Sequence, residues 1–192
     1  MALIPTEISA IETAAQSLDK CIERVNDAPS IEINAAIVSN QGTSSLCAMI
    51  LSREKFNMVT PEMLVWYDGT TQWTYMIGSQ ELSITEPFEE ELLQVNPFAI
   101  LKNYAQTYTC RRLSGSQLKI ELIAKSVSSE VSKAIVSLDA NTYLPTRLDV
   151  TMRNGTSLCV KVNSSKIGAA VPSSVFKFDK NKYKVSEIND LR

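Results

Sequence analysis

The side chains in this sequence that are best able to carry out chemistry are carboxylates and thiols, because the chain contains no histidine. The missing imidazole excludes Ser-His-Asp and Cys-His catalysis, histidine-ligated zinc and histidine proton shuttles. Carboxylates are plentiful, but residues 89–91 are acids at a predicted helix start, where the helix dipole explains them. No Gly-x-Ser-x-Gly elbow and no phosphate-binding loop occurs. We therefore expect a binding protein rather than an enzyme, with no cofactor and no metal site.

The cysteines give no clear chemistry. Cys21, Cys47, Cys110 and Cys159 are far apart and contain no Cys-x-x-Cys pair. This spacing excludes the usual thiol-redox and zinc-ribbon motifs. Two interpretations stay open, namely four buried or half-buried thiols, or one or two disulfides formed in an oxidising compartment.

Large apolar side chains are the best candidates for a binding site. They lie around a predicted hairpin, on the strand before it, and on one face of a predicted middle helix. An apolar ligand gains about 0.8 kcal/mol for each CH₂ removed from water, so such a surface can hold acyl chains tightly. The competing interpretation is an ordinary core, because any half-buried sheet must cover one apolar face. The candidates are Phe56, Met58, Trp66, Trp73, Tyr75, Phe98, Leu101 and Tyr104.

The first predicted element is an amphipathic helix over residues 5–27. Apolar residues from Ile4 to Val25 recur at alternating spacings of four and three, which is typical of one buried helix face. Pro5 suits the first turn of a helix, and Pro29 blocks its continuation.

From Ser30 onward the pattern alternates with a period of two, which predicts strands. Asp68-Gly69 is a strong hairpin signal. A helical pattern interrupts the strands after Pro87, and Asn96-Pro97 reads as a cap and first-turn proline for a short helix over residues 98–104. The strands are predicted near residues 31–37, 44–52, 55–60, 63–67, 71–77, 81–85, 107–113, 117–125, 131–138, 144–153 and 156–164, with further alternation over residues 174–178 before a charged tail.

Size and charge narrow the class of protein. The chain has 192 residues, and 19 basic against 21 acidic side chains give a net charge of −2. That balance excludes a nucleic-acid binder working by bulk positive charge. No linker or repeat divides the chain, so we predict a single α+β domain over residues 1–192. Its antiparallel, strongly curved sheet forms an incomplete β-barrel, covered by the N-terminal helix and a middle helical lid.

Several segments of this sequence resemble the LolA family, whose members carry lipoproteins across the periplasm of Gram-negative bacteria. The similarity is strongest to the branch found in Bacteroides-like bacteria. The family fold is an incomplete β-barrel with helices at its mouth, and its apolar cavity receives acyl chains. The matching segments are residues 55–62 (KFNMVTPE), 65–75 (VWYDGTTQWTY), 81–87 (ELSITEP), 89–92 (EEEL), 96–98 (NPF) and 175–179 (VFKFD).

The resemblance also implies a basic residue that helps to release the cargo. Some carriers of the family have an arginine just before the first matching segment. Arg53 meets that pattern only after a shift of one residue, so Lys55 is an equal candidate. A solvated charge at a strand end remains the alternative for both.

Partners and location follow from the same resemblance. It implies acylated lipoproteins as cargo, an inner-membrane ABC exporter as donor, an outer-membrane acceptor and a monomeric carrier. The start of the chain has no basic region followed by an apolar one and would by itself indicate the cytoplasm. The family implies the periplasm, with a signal peptide already removed. The alternative is a periplasmic lipid-binding protein or an envelope-stress sensor that regulates a partner; such sensors generally carry a second domain, for which we expect no room here.

Overall fold

Alternating side chains build one long antiparallel sheet in this protein. The structure is a computed structural model that describes residues 12–192. The strands are β1 (Ser30–Ser39), β2 (Ser44–Ser52), β3 (Lys55–Val59), β4 (Met63–Tyr67), β5 (Gln72–Met76), β6 (Glu81–Thr85), β7 (Tyr108–Arg112), β8 (Leu118–Ala124), β9 (Val131–Leu138), β10 (Pro145–Met152), β11 (Ser157–Gly168) and β12 (Glu187–Asp190). The helices are α1 (Ala14–Asp27), α2 (Glu89–Val95) and α3 (Tyr104–Thr107), with 3₁₀ turns at Pro97–Leu101 and Ser173–Phe176.

The twelve strands lie in the order β12-β6-β5-β4-β3-β2-β1-β11-β10-β9-β8-β7. Two meanders, β1 to β6 and β7 to β11, are joined where β1 pairs with β11. Among the strands within residues 12–192, only β12 runs parallel to its neighbour, β6. Since β7 and β12 do not pair with each other, the curved sheet stays open. This confirms the predicted fold class of an α+β protein with an incomplete barrel.

The register of the strands separates the two faces of the sheet. Ile33 pairs with Met49, Met49 with Met58, and Met58 with Val65, so these side chains share one face. All four are buried in the main core. We call this the inner face; α1 and residues 89–107, which we call the middle segment, pack against it.

Helix α1 begins with a capping box. The Thr13 side chain accepts a hydrogen bond from the Gln16 backbone N–H, and the Gln16 side chain accepts one from the Thr13 backbone N–H. Leu18 and Cys21 are buried against the sheet. The helix ends at Asp27, as predicted from Pro29. The part of the predicted helix before residue 12 lies outside the described residues.

Three predictions of local structure are corrected. Residues 174–178 alternate in sequence, but Ser173–Phe176 forms a 3₁₀ turn, with Pro172 as its N-cap. No strand was predicted in the charged tail, yet Glu187–Asp190 forms β12; all four of its residues are exposed, so no alternation marks it. The predicted helix over residues 98–104 is replaced by the 3₁₀ turn Pro97–Leu101 and by α3.

Within residues 12–192, no helix combines the length and apolar character needed to cross a membrane.

Candidate functional site

An apolar cavity of about 190 Å³ lies between the inner face and the helices. Strands β1 to β4 form its floor, α1 and the middle segment form two walls, and β10 contributes the edge nearest Leu144. Its lining residues are Ile22, Val25, Asn26, Ile31, Ile33, Leu51, Arg53, Glu54, Phe56, Tyr67, Leu92, Asn96, Phe98, Ala99, Leu101, Lys102, Leu144, Pro145 and Ser165.

Three of the predicted binding residues, Phe56, Phe98 and Leu101, line this cavity. Phe56 is 2% exposed, and its ring centroid lies 5.4 Å from that of Tyr67. Tyr67 also lines the cavity, and its hydroxyl donates a 2.9 Å hydrogen bond to the Gly69 carbonyl. The floor therefore presents an aromatic pair held in place by the β4–β5 turn.

Two further predicted residues, Met58 and Tyr104, belong to the same core without lining the cavity. Tyr104 is tied to α1, because its hydroxyl donates hydrogen bonds to Asp19 Oδ1 at 2.7 Å and to the Ala15 carbonyl at 3.3 Å. Burial raises the pKa of the Tyr104 phenol, and the bond to Asp19 raises it further. Tyr104 therefore fastens the middle segment to α1 in its neutral form.

The structure separates Trp66, Trp73 and Tyr75 from the cavity that we predicted them to line. They lie on the opposite, outer face of the sheet, in a second cluster with Leu64 and Leu82. The chain after β11 covers this cluster: the Phe178 ring lies 5.4 Å from Trp66 and 6.2 Å from Tyr75, between centroids.

Strand alternation explains this correction. Val65 and Tyr67 point to the inner face, so their neighbour Trp66 must point outward. Both faces of β4 are buried, and the strand therefore reads as a continuous apolar run. Such a run does not reveal which of its side chains share a face with the cavity.

The rim of the cavity carries the charged residues. Arg53 and Glu54 form the two-residue turn between β2 and β3, because Ser52 pairs with Lys55. Arg53 has a φ of 54°, a left-handed conformation that favours glycine. Across the opening, Lys102 Nζ lies 3.2 Å from Glu54 Oε1. This ion pair joins the hairpin to the middle segment.

The two candidate release residues occupy different surroundings. Arg53 lines the apolar cavity and also an adjoining, more polar groove of about 810 Å³. Lys55 lines only the groove, together with residues such as Asp68 and Thr70. Arg53 is exposed at the mouth of the cavity, and its side chain forms no hydrogen bond or ion pair within residues 12–192.

Sequence reasoning missed Asn96 as a site residue. It was predicted to cap the following helix, and Pro97 does open the 3₁₀ turn, but the Asn96 side chain makes no capping hydrogen bond. Instead Asn96 lines the cavity, and its Oδ1 is buried without a hydrogen-bond partner among the described residues. An Asn-Pro pair is a common helix start, and no other signal in the sequence pointed to this role.

The described residues contain no cluster of three or more Cys, Asp or Glu side chains that could hold a metal ion.

The cavity as a whole is suited to reversible binding, since its walls are apolar and its rim carries both positive and negative side chains.

A family model described as outer membrane lipoprotein carrier protein LolA matches residues 5–156 of this chain. That range includes α1, the middle segment and the charged hairpin. The description of the family names a carrier protein. No curated protein sequence matches the chain significantly.

Solved structures show the same fold at low sequence identity. A conserved protein from Thermus thermophilus has a TM-score of 0.62 and 11% identity, over 92% of this chain and 98% of that chain. A LolA superfamily protein from Nitrosomonas europaea has a TM-score of 0.50 and 15% identity, over 87% and 98%. The structure of MucB also has a TM-score of 0.50 and 15% identity, but the match covers 87% of this chain and 63% of MucB.

Proposed function

We propose a carrier function from one premise: the chain belongs to the family described as outer membrane lipoprotein carrier protein LolA. In this proposal the protein binds the acyl chains of lipoproteins in its apolar cavity. It works in the periplasm, receives cargo from an inner-membrane ABC exporter, and passes it to an acceptor at the outer membrane. No cofactor and no catalytic residue is needed, because the energy comes from the exporter.

The observation that carries the proposal is an apolar cavity whose charged lining residues all stand at its rim. Phe56, Phe98 and Leu101 offer apolar surface to a hydrocarbon chain. Each buried CH₂ contributes about 0.8 kcal/mol, so a few methylene groups already give useful affinity. Arg53 and Lys102 remain near the opening, where the polar head of an amphiphile would stay.

The cavity must widen before it can hold a long acyl chain. Its volume of about 190 Å³ lies below the roughly 300–1,000 Å³ of most ligand pockets. The middle segment is the element best suited to move, because its helices of seven and four residues are too short to be stable alone. In our proposal the middle segment is a lid that opens as cargo enters.

Of the two basic candidates, we assign cargo release to Arg53 rather than Lys55. Arg53 borders both the cavity and the polar groove, whereas Lys55 borders only the groove. The left-handed backbone of Arg53 also carries a conformational cost that a glycine would avoid. Strain retained at the mouth of a cavity supports a functional role for the side chain.

A matched pair of substitutions tests acyl binding. Leu101→Glu places a charge in the cavity wall, where Leu101 is 6% exposed. Leu46→Glu makes the same change on the outer face, where Leu46 is 65% exposed. We expect a fluorescent fatty-acyl probe to bind the wild type and Leu46→Glu equally, and Leu101→Glu at least tenfold more weakly. Wild-type affinity in a folded Leu101→Glu protein would exclude the cavity as the binding site.

A second candidate function would use the same cavity to sense lipids and regulate a membrane partner. The fold similarity to MucB supports testing it. The two functions differ in the fate of the loaded protein: a carrier transfers its cargo and is released, whereas a sensor stays with its partner. A stable complex with a membrane protein, isolated from detergent extracts with the loaded chain as bait, would favour the sensor.

A further inference from the structure

Asn96 stands apart from the other polar residues that line the cavity. Five of them are exposed at its rim: Asn26, Arg53, Glu54, Lys102 and Ser165. Asn96 is half-buried, in the middle segment between α2 and the 3₁₀ turn. Asn96 is thus a half-buried polar side chain in the cavity wall, whereas these five polar lining residues are exposed.

The backbone of Asn96 is fully paired, but its side chain is not. Its N–H donates a 2.7 Å hydrogen bond to the Leu92 carbonyl, and its carbonyl accepts one of 2.9 Å from the Ala99 N–H. The side-chain Oδ1 is buried, and no donor within the part of the chain that the structure describes reaches it. A buried acceptor with no donor destabilises the ligand-free protein. A ligand that donates a hydrogen bond to this acceptor therefore stabilises the ligand-bound protein.

We propose that Asn96 selects acyl ligands with an N–H group at the head of the chain. In the loaded state the Oδ1 atom of Asn96 accepts a hydrogen bond from that N–H, while Phe98 and Leu101 contact the hydrocarbon. The ligand class is therefore an amide-linked acyl chain. An ester-linked chain of the same length offers only acceptors to this position. This inference rests on the proposed binding of acyl chains.

The location of Asn96 makes the contact dependent on the widening of the cavity. Asn96 joins the two parts of the middle segment, and its φ of −129° and ψ of 86° belong to neither helix. Displacement of the segment by a ligand moves this residue and opens access to its Oδ1. The ligand N–H then supplies a hydrogen bond that the ligand-free protein lacks, and no existing hydrogen bond of the Asn96 Oδ1 has to break.

Three palmitoyl probes test the proposal: N-methylpalmitamide, which has an N–H donor, and N,N-dimethylpalmitamide and methyl palmitate, which have none. Each competes with a fluorescent fatty-acyl probe on the full chain. We expect the secondary amide to bind the wild type about tenfold more tightly than either other compound, as for one added hydrogen bond.

Variants assign the preference to one side chain. Asn96→Leu removes the amide at similar size and should bind all three palmitoyl compounds equally, with an unfolding temperature at or above that of the wild type. Asn96→Asp retains an acceptor and should keep the preference. Asn181→Leu removes an amide from the exposed surface, outside the cavity lining, and should also keep the preference.

The outcomes separate the inference from the proposed function. Equal binding of the three compounds by the wild type, or a preference that survives in Asn96→Leu, would overturn the role of Asn96 while acyl binding stands. Failure of the wild type to bind the fluorescent probe at all would overturn both.

Discussion

The hydroxyl of Tyr104 donates a 2.7 Å hydrogen bond to Asp19, and this contact links the middle segment to α1. Tyr104 is 5% exposed, whereas Asp19 is exposed. The bond therefore fixes the end of the proposed lid to a helix that also lines the cavity.

Tyr104→Phe removes this bond, and with it the longer contact to the Ala15 carbonyl, without changing the shape of the core. We expect the free energy of unfolding to fall by about 1 kcal/mol, the typical value for one hydrogen bond. Urea unfolding followed by circular dichroism measures it. Tyr183→Phe is the matched control, because the Tyr183 hydroxyl makes no hydrogen bond within residues 12–192. An equal loss in both variants would refute a specific role for the Tyr104–Asp19 bond.

The same pair predicts a dependence on alkaline pH. Because burial raises the pKa of Tyr104, the folded state keeps the phenol proton more firmly than the unfolded state does. The contribution of the neutral Tyr104 phenol to the free energy of unfolding is complete below pH 10. Above about pH 10 it falls by roughly 1.4 kcal/mol per pH unit, until the pH reaches the folded-state pKa. The stability advantage of the wild type over Tyr104→Phe should therefore vanish near pH 11. Parallel stability curves of the two proteins would contradict it.

Thiol labelling tests the burial of the cysteines. Burial raises the pKa of Cys21 to about 12, and Cys21 is fully buried. The half-buried Cys110 and Cys159 should therefore react with a maleimide at neutral pH well before Cys21. Peptide mass mapping after timed labelling gives the order. A pair that resists labelling after unfolding without reductant would instead reveal a disulfide.

The outer-face cluster should contribute to stability and not to ligand binding. Phe178→Ala removes a ring that packs against Trp66 and Tyr75. For a half-buried ring we expect a loss of about 2 kcal/mol and a red shift of tryptophan emission. Affinity for the fluorescent acyl probe should stay unchanged at temperatures where the variant is folded. Weaker binding there would place the cluster in the binding site after all.

Substitutions of Arg53 separate backbone strain from function. Arg53→Gly suits the left-handed φ of 54° and should raise the free energy of unfolding by about 0.5 kcal/mol, since relief of strain exceeds the added chain entropy. Arg53→Leu keeps the strain. Both variants should bind cargo and release it slowly to acceptor membranes, whereas Lys55→Leu should release it normally. Normal transfer by Arg53→Leu would remove Arg53 from the release step.

The positions of strands β1 to β11 along the chain could be predicted from the sequence because each has alternation, a turn signal or both, whereas the pairing of β1 with β11 could not. Asp68-Gly69 and Asn154-Gly155, for example, mark turns where the glycine has a positive φ. The pairing of β12 with β6 could not, since Glu187–Asp190 is wholly exposed and shows no pattern. Backbone pairing with β6 holds that strand, together with hydrogen bonds from the Ser186 hydroxyl to the Ser79 and Gln80 carbonyls.

Only some of the residues that line the cavity could be predicted, because the sequence does not show which elements cover each face of the sheet. Phe98 and Leu101 were found because they share a helical face, whereas the side of the sheet on which Trp66 lies depends on what covers each face. The cover of the outer face, Phe178 and Tyr183, is more than a hundred residues away in sequence. Asn96 resembled a helix cap, and only its missing partner distinguishes it.

The most direct test of the carrier account is the release of a native lipoprotein from spheroplasts of the organism that makes this protein. Purified wild-type protein, Leu101→Glu and Leu46→Glu are added in parallel, and the supernatant is analysed for lipoprotein. The account predicts a soluble one-to-one complex with the wild type and with Leu46→Glu, and none with Leu101→Glu. Lipoprotein that stays in the membrane with folded wild-type protein, or is released equally by Leu101→Glu, would contradict it.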